Sequence, residues 1–204
     1  MAQVHPNATI TPTKLEIARD WLVDQPWFAG DSEALDSPRR FSYRFDDPVG
    51  EVGVEVLLVR DGEHVLQVPL TYRAAKRDGD GYLTDMIHTV LGQRFIYDGL
   101  TDPVFVAAHV DAILTGAEQE DFEVGDVVHP AVVKVRGTGS GESAGDLEIR
   151  GIERNGPTTE VHTSAGDLVF PHVLGTLELD GRPGLVGRWP DGPETVLAVL
   201  GARR

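Results

Sequence analysis

The chain has 204 residues, enough to bury a core as one domain or as two small ones. It carries 18 Lys+Arg against 33 Asp+Glu, a net charge of −15, which argues against a nucleic-acid surface and against docking to anionic lipid. There is no cysteine, so disulfides, thiolate nucleophiles and cysteine-ligated zinc are excluded.

The first predicted helix begins near Thr11–Thr13. Pro12 suits a first-turn position, and Thr13 with Glu16 has capping-box spacing. Leu15, Ala18 and Leu22 share a face flanked by Ile17 and Trp21, and Pro26 closes the segment. A loop over 30–39 leads to three strands. Phe41, Tyr43 and Phe45 alternate, then Val52, Val54, Val56 and Leu58, then Leu66, Val68, Leu70 and Tyr72. Asp46-Asp47-Pro48 with Gly50 and Asp61-Gly62 supply the turns, so the three runs are expected to pair antiparallel.

Ala74–Gly81 is expected to be loop, and Leu91–Tyr97 a fourth strand. Asp102 is a plausible N-cap with Pro103 at the first position of a second helix. Val106, Val110, Ile113 and Leu114 mark its apolar face and Gly116 its stop. The acidic stretch Ala117–Asp126 is expected to be a linker or an exposed edge. From Val127 the pattern is β, with Val132–Val135 and Leu147–Ile152 as runs. Asn155-Gly156, Ala165-Gly166, Asp180-Gly181 and Asp191-Gly192 are the turn signals. No apolar run approaches the ~18 residues of a membrane span. MAQVHPNATITPTK lacks a charged-then-apolar leader, so a cytoplasmic protein is expected.

No residue pattern declares a reaction. The loop Gly137-Thr138-Gly139-Ser140-Gly141 invites comparison with a phosphate cradle, but it lacks the Lys-Ser/Thr ending and no helix clearly follows it. A flexible β-connection is the plainer reading. The seven histidines show neither H-x-x-x-H nor H-E-x-x-H, so structural roles are expected for them. Asp78-Gly79-Asp80-Gly81 lacks the remaining ligands of a calcium loop, and no G-x-S-x-G elbow is present. Trp21, Trp27, Tyr72 and Tyr97 invite a sugar platform. Yet Trp21 and Tyr72 share faces with core aliphatics, which favours packing for both, while Trp27 follows the proline and is expected half exposed.

The ordered set TPTKLEIARDWLVDQPWF, then VPLTYR, then GQRFIYDGLTDPVF resembles the N-terminal cap domain of actinobacterial maltokinases over about Thr11–Leu114. The resemblance implies a small cystatin-like unit with a helix against an antiparallel sheet. In that family the unit precedes a bilobal kinase that phosphorylates maltose with ATP, feeding a glycogen-building pathway. No kinase catalytic loop or metal-binding Asp-Phe-Gly follows here, so no catalytic residue carries over. The closing LVGRWPDGPETVLAVL is similar to the end of short actinobacterial proteins that have the cap without the kinase.

The expected fold is therefore α+β, with a cystatin-like cap over 1–116 and a β-rich half over 120–204 that is either separate or packed with the cap as one unit. The expected function is a non-catalytic accessory or interaction protein, tied by analogy to maltose, trehalose or glycogen metabolism. A sugar- or nucleotide-binding module and a kinase-related enzyme with a remnant nucleotide lobe are the alternatives. No cofactor, metal, nucleic acid or membrane is expected. The partner is a protein or a second copy. Trp27, Tyr72, Arg73, Tyr97 and Asp98 form the candidate interface or ligand surface, because aromatics and arginine are favoured at hot spots.

Overall fold

The computed structural model describes residues 8–38, 41–119, 131–189 and 192–202, together with the backbone strands at 2–4, 122–124 and 127–129. In chain order the elements are β1 (Ala2–Val4), β2 (Ile10–Thr11), α1 (Lys14–Val23), β3 (Ser42–Phe45), β4 (Val52–Asp61), β5 (His64–Arg73), β6 (Tyr82–His88) and β7 (Gly92–Asp98). Then come α2 (Pro103–Thr115), β8 (Phe122–Val124), β9 (Val127–His129), β10 (Lys134–Gly137), β11 (Ile149–Asn155), β12 (Thr158–Thr163), β13 (Asp167–Pro171), β14 (Gly184–Arg188) and β15 (Glu194–Leu200). Among the described residues the fold is mostly β with two α-helices, an α+β arrangement with a sheet-rich second half.

The first sheet has the order β2-β6-β7-β5-β4-β3, with every pairing antiparallel. Period-2 alternation gives β4 two apolar faces. Val52, Val54, Val56 and Leu58 point to one core, while Leu57 and Val59 point to the other. α1 covers the second face, with Ile17, Ala18, Trp21 and Leu22 against Leu57, Val59, Leu66, Val68, Leu70, Met86 and Ile96. Its capping box is formed: Glu16 N donates to Thr13 Oγ1 at 3.2 Å and Thr13 N donates to Glu16 Oε2 at 2.7 Å. Pro12 therefore precedes the cap rather than opening the first turn.

The second sheet has the order β10-β14-β15-β13-β12-β11, again antiparallel. α2 lies between the two sheets, touching β3 and β4 on one side and β10, β14 and β15 on the other. Phe105, Val106, Val110 and Ile113 share one cluster with Tyr43 and Val56 of the first half and with Val135, Phe170 and Leu197 of the second. A near-continuous apolar helix suits this place, because both of its sides meet protein. A small third sheet has the order β1-β8-β9, with β1 parallel to β8.

The three β-runs expected after the first helix pair antiparallel as their alternation requires. Three differences stand out. β6 was not expected: Tyr82–His88 joins β7 in a hairpin, because Thr84, Asp85 and the exposed residues dilute its alternation. Within the expected linker, 122–124 forms strand β8, and Glu118 bridges Arg136 at the edge of the second sheet. Asp180 and Gly181 have φ of 49° and 77° and make a turn inside the β13–β14 connection rather than a tight hairpin. Asp191 lies outside the described residues.

Candidate functional site

The five residues singled out from the sequence are not one surface. Tyr97 is 1 % exposed and Asp98 4 % exposed. The Tyr97 hydroxyl accepts from Arg77 N at 3.0 Å, and the Arg77 guanidinium lies 4.9 Å from its ring centroid. Asp98 caps a 3-10 turn, accepting from Leu100 N at 3.1 Å, and takes an ion pair from Arg154 of β11 at 2.8 Å. Tyr97 thus closes the sheet, and Asp98 ties the first half to the second. Neither offers its side chain to a partner.

Arg73 forms a two-pronged pair with Asp102, with both N···O distances at 2.7 Å. Asp102 is fully buried, accepts from Thr71 Oγ1 at 2.9 Å, and caps α2 through Val104 N at 3.0 Å. Burial raises its pKa, but the Arg73 and Thr71 hydrogen bonds outweigh that and leave it lowered. Arg73 fastens α2 to the sheet, a job that demands the guanidinium fork.

Tyr72 belongs to a second charge cluster. Glu55 is 2 % exposed and sits on the α1 face of β4. Lys14 Nζ reaches its Oε2 at 2.6 Å, Tyr72 Oη the same oxygen at 2.8 Å, Arg44 Nη2 its Oε1 at 2.9 Å and Ser42 Oγ the same oxygen at 2.8 Å. Desolvation alone would push the Glu55 pKa up, yet Arg44 and Lys14 hold it well below the usual carboxylate range. Lys14 falls to about 8, chiefly by desolvation and then by repulsion from Arg44. A carboxylate this fully paired is a structural clamp between α1, β3 and β5, with no lone pair left for a substrate.

Trp27 behaves as expected, being partly exposed. It stacks on His172 with centroids 5.6 Å apart and planes 13° apart, and meets Trp21 edge-on at 6.3 Å. Together with Phe28, Ala29, Asp61, His64, Leu66 and Val173 it lines a shallow hollow of about 160 Å³. The hollow lies on the seam, since Val173 comes from the second half and Leu66 bridges to it across the strand edge. Gly30 matters here: a Cβ at that position would meet Asp61 Oδ2 at 2.6 Å and the Phe28 ring at 2.9 Å.

The glycine-rich loop has a different duty from a phosphate cradle. Gly139 N donates to Ile113 O and Gly141 N to Leu114 O, each at 2.9 Å. These amides complete the open C-terminal end of α2, where Gly116 adopts φ 73°. A Cβ on Gly139 would collide with the Ile113 and Leu114 carbonyls, so the close approach requires glycine. The two amides are spent on the helix and cannot also cradle an anion.

Two features were missed from the sequence. One is the end of the β6–β7 hairpin, where Ile87, Val90 and Leu91 are 53 %, 57 % and 45 % exposed. The signal was present as a short apolar run, but it reads equally as a buried strand. The other is the group Glu160, His162 and Asp167, whose side chains converge on the second sheet. A search for helical H-x-x-x-H spacing passes over Glu-x-His on a strand followed by an acid across a tight turn.

The architecture defines a helix-on-sheet module joined through a shared helix to a second, antiparallel six-stranded sheet. Residues 21–102 match the family described as the maltokinase N-terminal cap domain, so the cap-like resemblance is borne out over that segment. The match covers α1 from Trp21, β3 to β7 and the α2 cap Asp102, and stops before the second sheet. No curated protein matches the chain. Among the described residues, no helix is long and apolar enough to cross a membrane.

Proposed function

We propose that this chain is a non-catalytic interaction protein linked to maltose or trehalose metabolism, its first segment being a cystatin-like cap that has a β-rich partner segment in place of a kinase. The metabolic link rests on the cap family matched by residues 21–102. The observation that carries the interaction reading is the apolar end of the β6–β7 hairpin. Ile87, Val90 and Leu91 lie within five residues of one another and all face solvent. β6 is also the strand beside β2, which covers it only at Ile87 and His88, so backbone edge groups adjoin this apolar end. Of the earlier surface, Trp27 keeps exposed area, whereas Tyr97 and Asp98 are interior. The centre of the proposed interface is therefore the hairpin rather than the surface around Tyr72, Arg73, Tyr97 and Asp98. The test is sedimentation at several concentrations plus affinity capture from a native extract, with wild type and a Val90→Asp, Leu91→Asp double variant. Expected is a concentration-dependent mass or a reproducible partner, lost in the variant. A strict monomer that captures nothing overturns the reading, and so does a folded variant that captures the same partner equally.

A second reading, a small-ligand module, is favoured by the hollow at Trp27, where a half-exposed indole faces Asp61 and His64. Tryptophan fluorescence titrated with maltose, trehalose and ATP decides it. A saturable change that vanishes in Trp27→Phe supports it, and a flat response at millimolar ligand removes it.

A further inference from the structure

We propose that Glu160, His162 and Asp167 form a site for one divalent first-row metal ion such as Zn²⁺ or Co²⁺, with Glu153 orienting the imidazole. The placement follows from strand geometry. Glu160 and His162 are two apart on β12 and so share a face. Asp167 of β13 stands directly opposite His162, and Glu153 of β11 directly opposite Glu160. One ligand atom from each of Glu160, His162 and Asp167 lies within 4.8 Å of the others. That spacing is closed by small side-chain rotations to the ~2.0–2.2 Å bonds of a nitrogen–oxygen site.

The two imidazole nitrogens have distinct jobs. Nδ1 faces Asp167 Oδ1 at 2.9 Å, so an ion shared by the two residues binds Nδ1. Nε2 faces Glu153 Oε1 at 3.4 Å. A metal-bound histidine commonly donates its other N–H to a carboxylate, which fixes the tautomer and the ring plane. Here that carboxylate is in place on the neighbouring strand. Glu153 is thus a positioning residue, outside the ligand set. One imidazole and two carboxylates suit borderline ions better than Mg²⁺, which prefers an all-oxygen octahedron. His162 is 22 % exposed, so the site reaches solvent and has an entry path.

The test is calorimetric titration of the chelator-stripped full chain with Zn²⁺ and Co²⁺, in physiological salt with excess Mg²⁺ to suppress diffuse attraction to an acidic protein. Expected is one ion per chain, binding that tightens as pH rises because the metal displaces the His162 proton, and paramagnetic Co²⁺ shifts confined to residues of β11–β13. His162→Ala and Asp167→Asn should each weaken binding at least tenfold. His64→Ala should leave it unchanged. Glu153→Gln should keep the stoichiometry and weaken affinity about tenfold. No saturable binding, or Co²⁺ shifts elsewhere in the chain, overturns the site, and the shifts need no variant to fold. Unchanged affinity in Glu153→Gln overturns the positioning role.

Discussion

Single buried polar groups decide much of this protein's behaviour. Glu55 illustrates why a buried charge is tolerable only when fully partnered: two cations and two hydroxyls occupy its oxygens. Glu55→Gln keeps the shape but leaves Lys14 and Arg44 facing each other, and should cost about 3 kcal/mol in a urea unfolding experiment at neutral pH. A loss below about 1 kcal/mol would mean that the cations relax freely into solvent. The buried histidines make a second case. His109 Nδ1 lies 2.9 Å from Phe105 O and so carries the proton, which leaves Nε2 without a partner among Tyr43, Phe45, Phe105 and Phe170. His172 places Nδ1 at 3.1 Å from Gln67 O and Nε2 at 2.9 Å from the Thr159 hydroxyl. Desolvation lowers both to about 4. The sign is then fixed. As pH falls below about 6.5 the unfolded chain binds protons that the folded chain refuses until about 4, so stability drops across that window. Each histidine contributes a slope of up to about 1.4 kcal/mol per pH unit. Urea midpoints at pH 7 and pH 4.5 should show the fall, and His109→Phe should remove roughly half of it. A midpoint that does not move between those pH values would contradict the burial of both rings.

At the scale of elements, α2 is the organiser, and its N-terminus is its weak point. Asp102 supplies the cap and the anion for Arg73 at once. Asp102→Ala should therefore cost more than an ordinary cap, about 4 kcal/mol, while Asp102→Asn, which keeps the cap, should cost about half of that. Arg73→Lys should behave more like Arg73→Ala than like wild type, because the ammonium lacks the planar fork that sets Nε and Nη2 each against its own Asp102 oxygen. Equal stability of the Lys variant and wild type in thermal melts would show that charge alone suffices. The helices and the first three paired strands were legible in the sequence because caps, proline and period-2 alternation are local signals: Thr13 with Glu16, Asp102 with Pro103, and the valines of β4. The role of Arg73 was not. An arginine ending a strand looks the same whether it meets a partner protein or an aspartate 29 residues later. Tyr97 was misjudged for the same reason, since nothing local says that β6 and the Arg77 loop will cover it. The glycine-rich loop was legible as a connection, but its docking on the end of α2 is a long-range fact.

For the whole molecule the open question is whether the cap and the β-rich half unfold together. A core drawn from both sheets argues that they do. So do the polar ties across the seam. Gln67 Nε2 donates to Pro171 O at 2.7 Å and to Leu197 O at 3.0 Å, and its Oε1 accepts from Tyr43 Oη at 2.9 Å. Arg154 pairs with Asp98 across the same boundary. Separating the halves would strip α2 of one of its two apolar walls and leave Phe105, Val110 and Ile113 facing water. The buried Gln67 amide would lose two carbonyl partners in the same step. Tryptophan reports on each side, since Trp21 and Trp27 lie on the cap and Trp189 packs against the core from the second half, 6.3 Å from Phe41. Two variants, one retaining only Trp27 and one only Trp189, should give superimposable urea transitions once each is normalised, with the same midpoint and slope. Gln67→Leu should lower both midpoints together, because it leaves the Tyr43 hydroxyl and two carbonyls unpaired. A Trp189 transition that completes before the Trp27 transition begins would show two independently stable units. The shared helix would then belong to the cap alone.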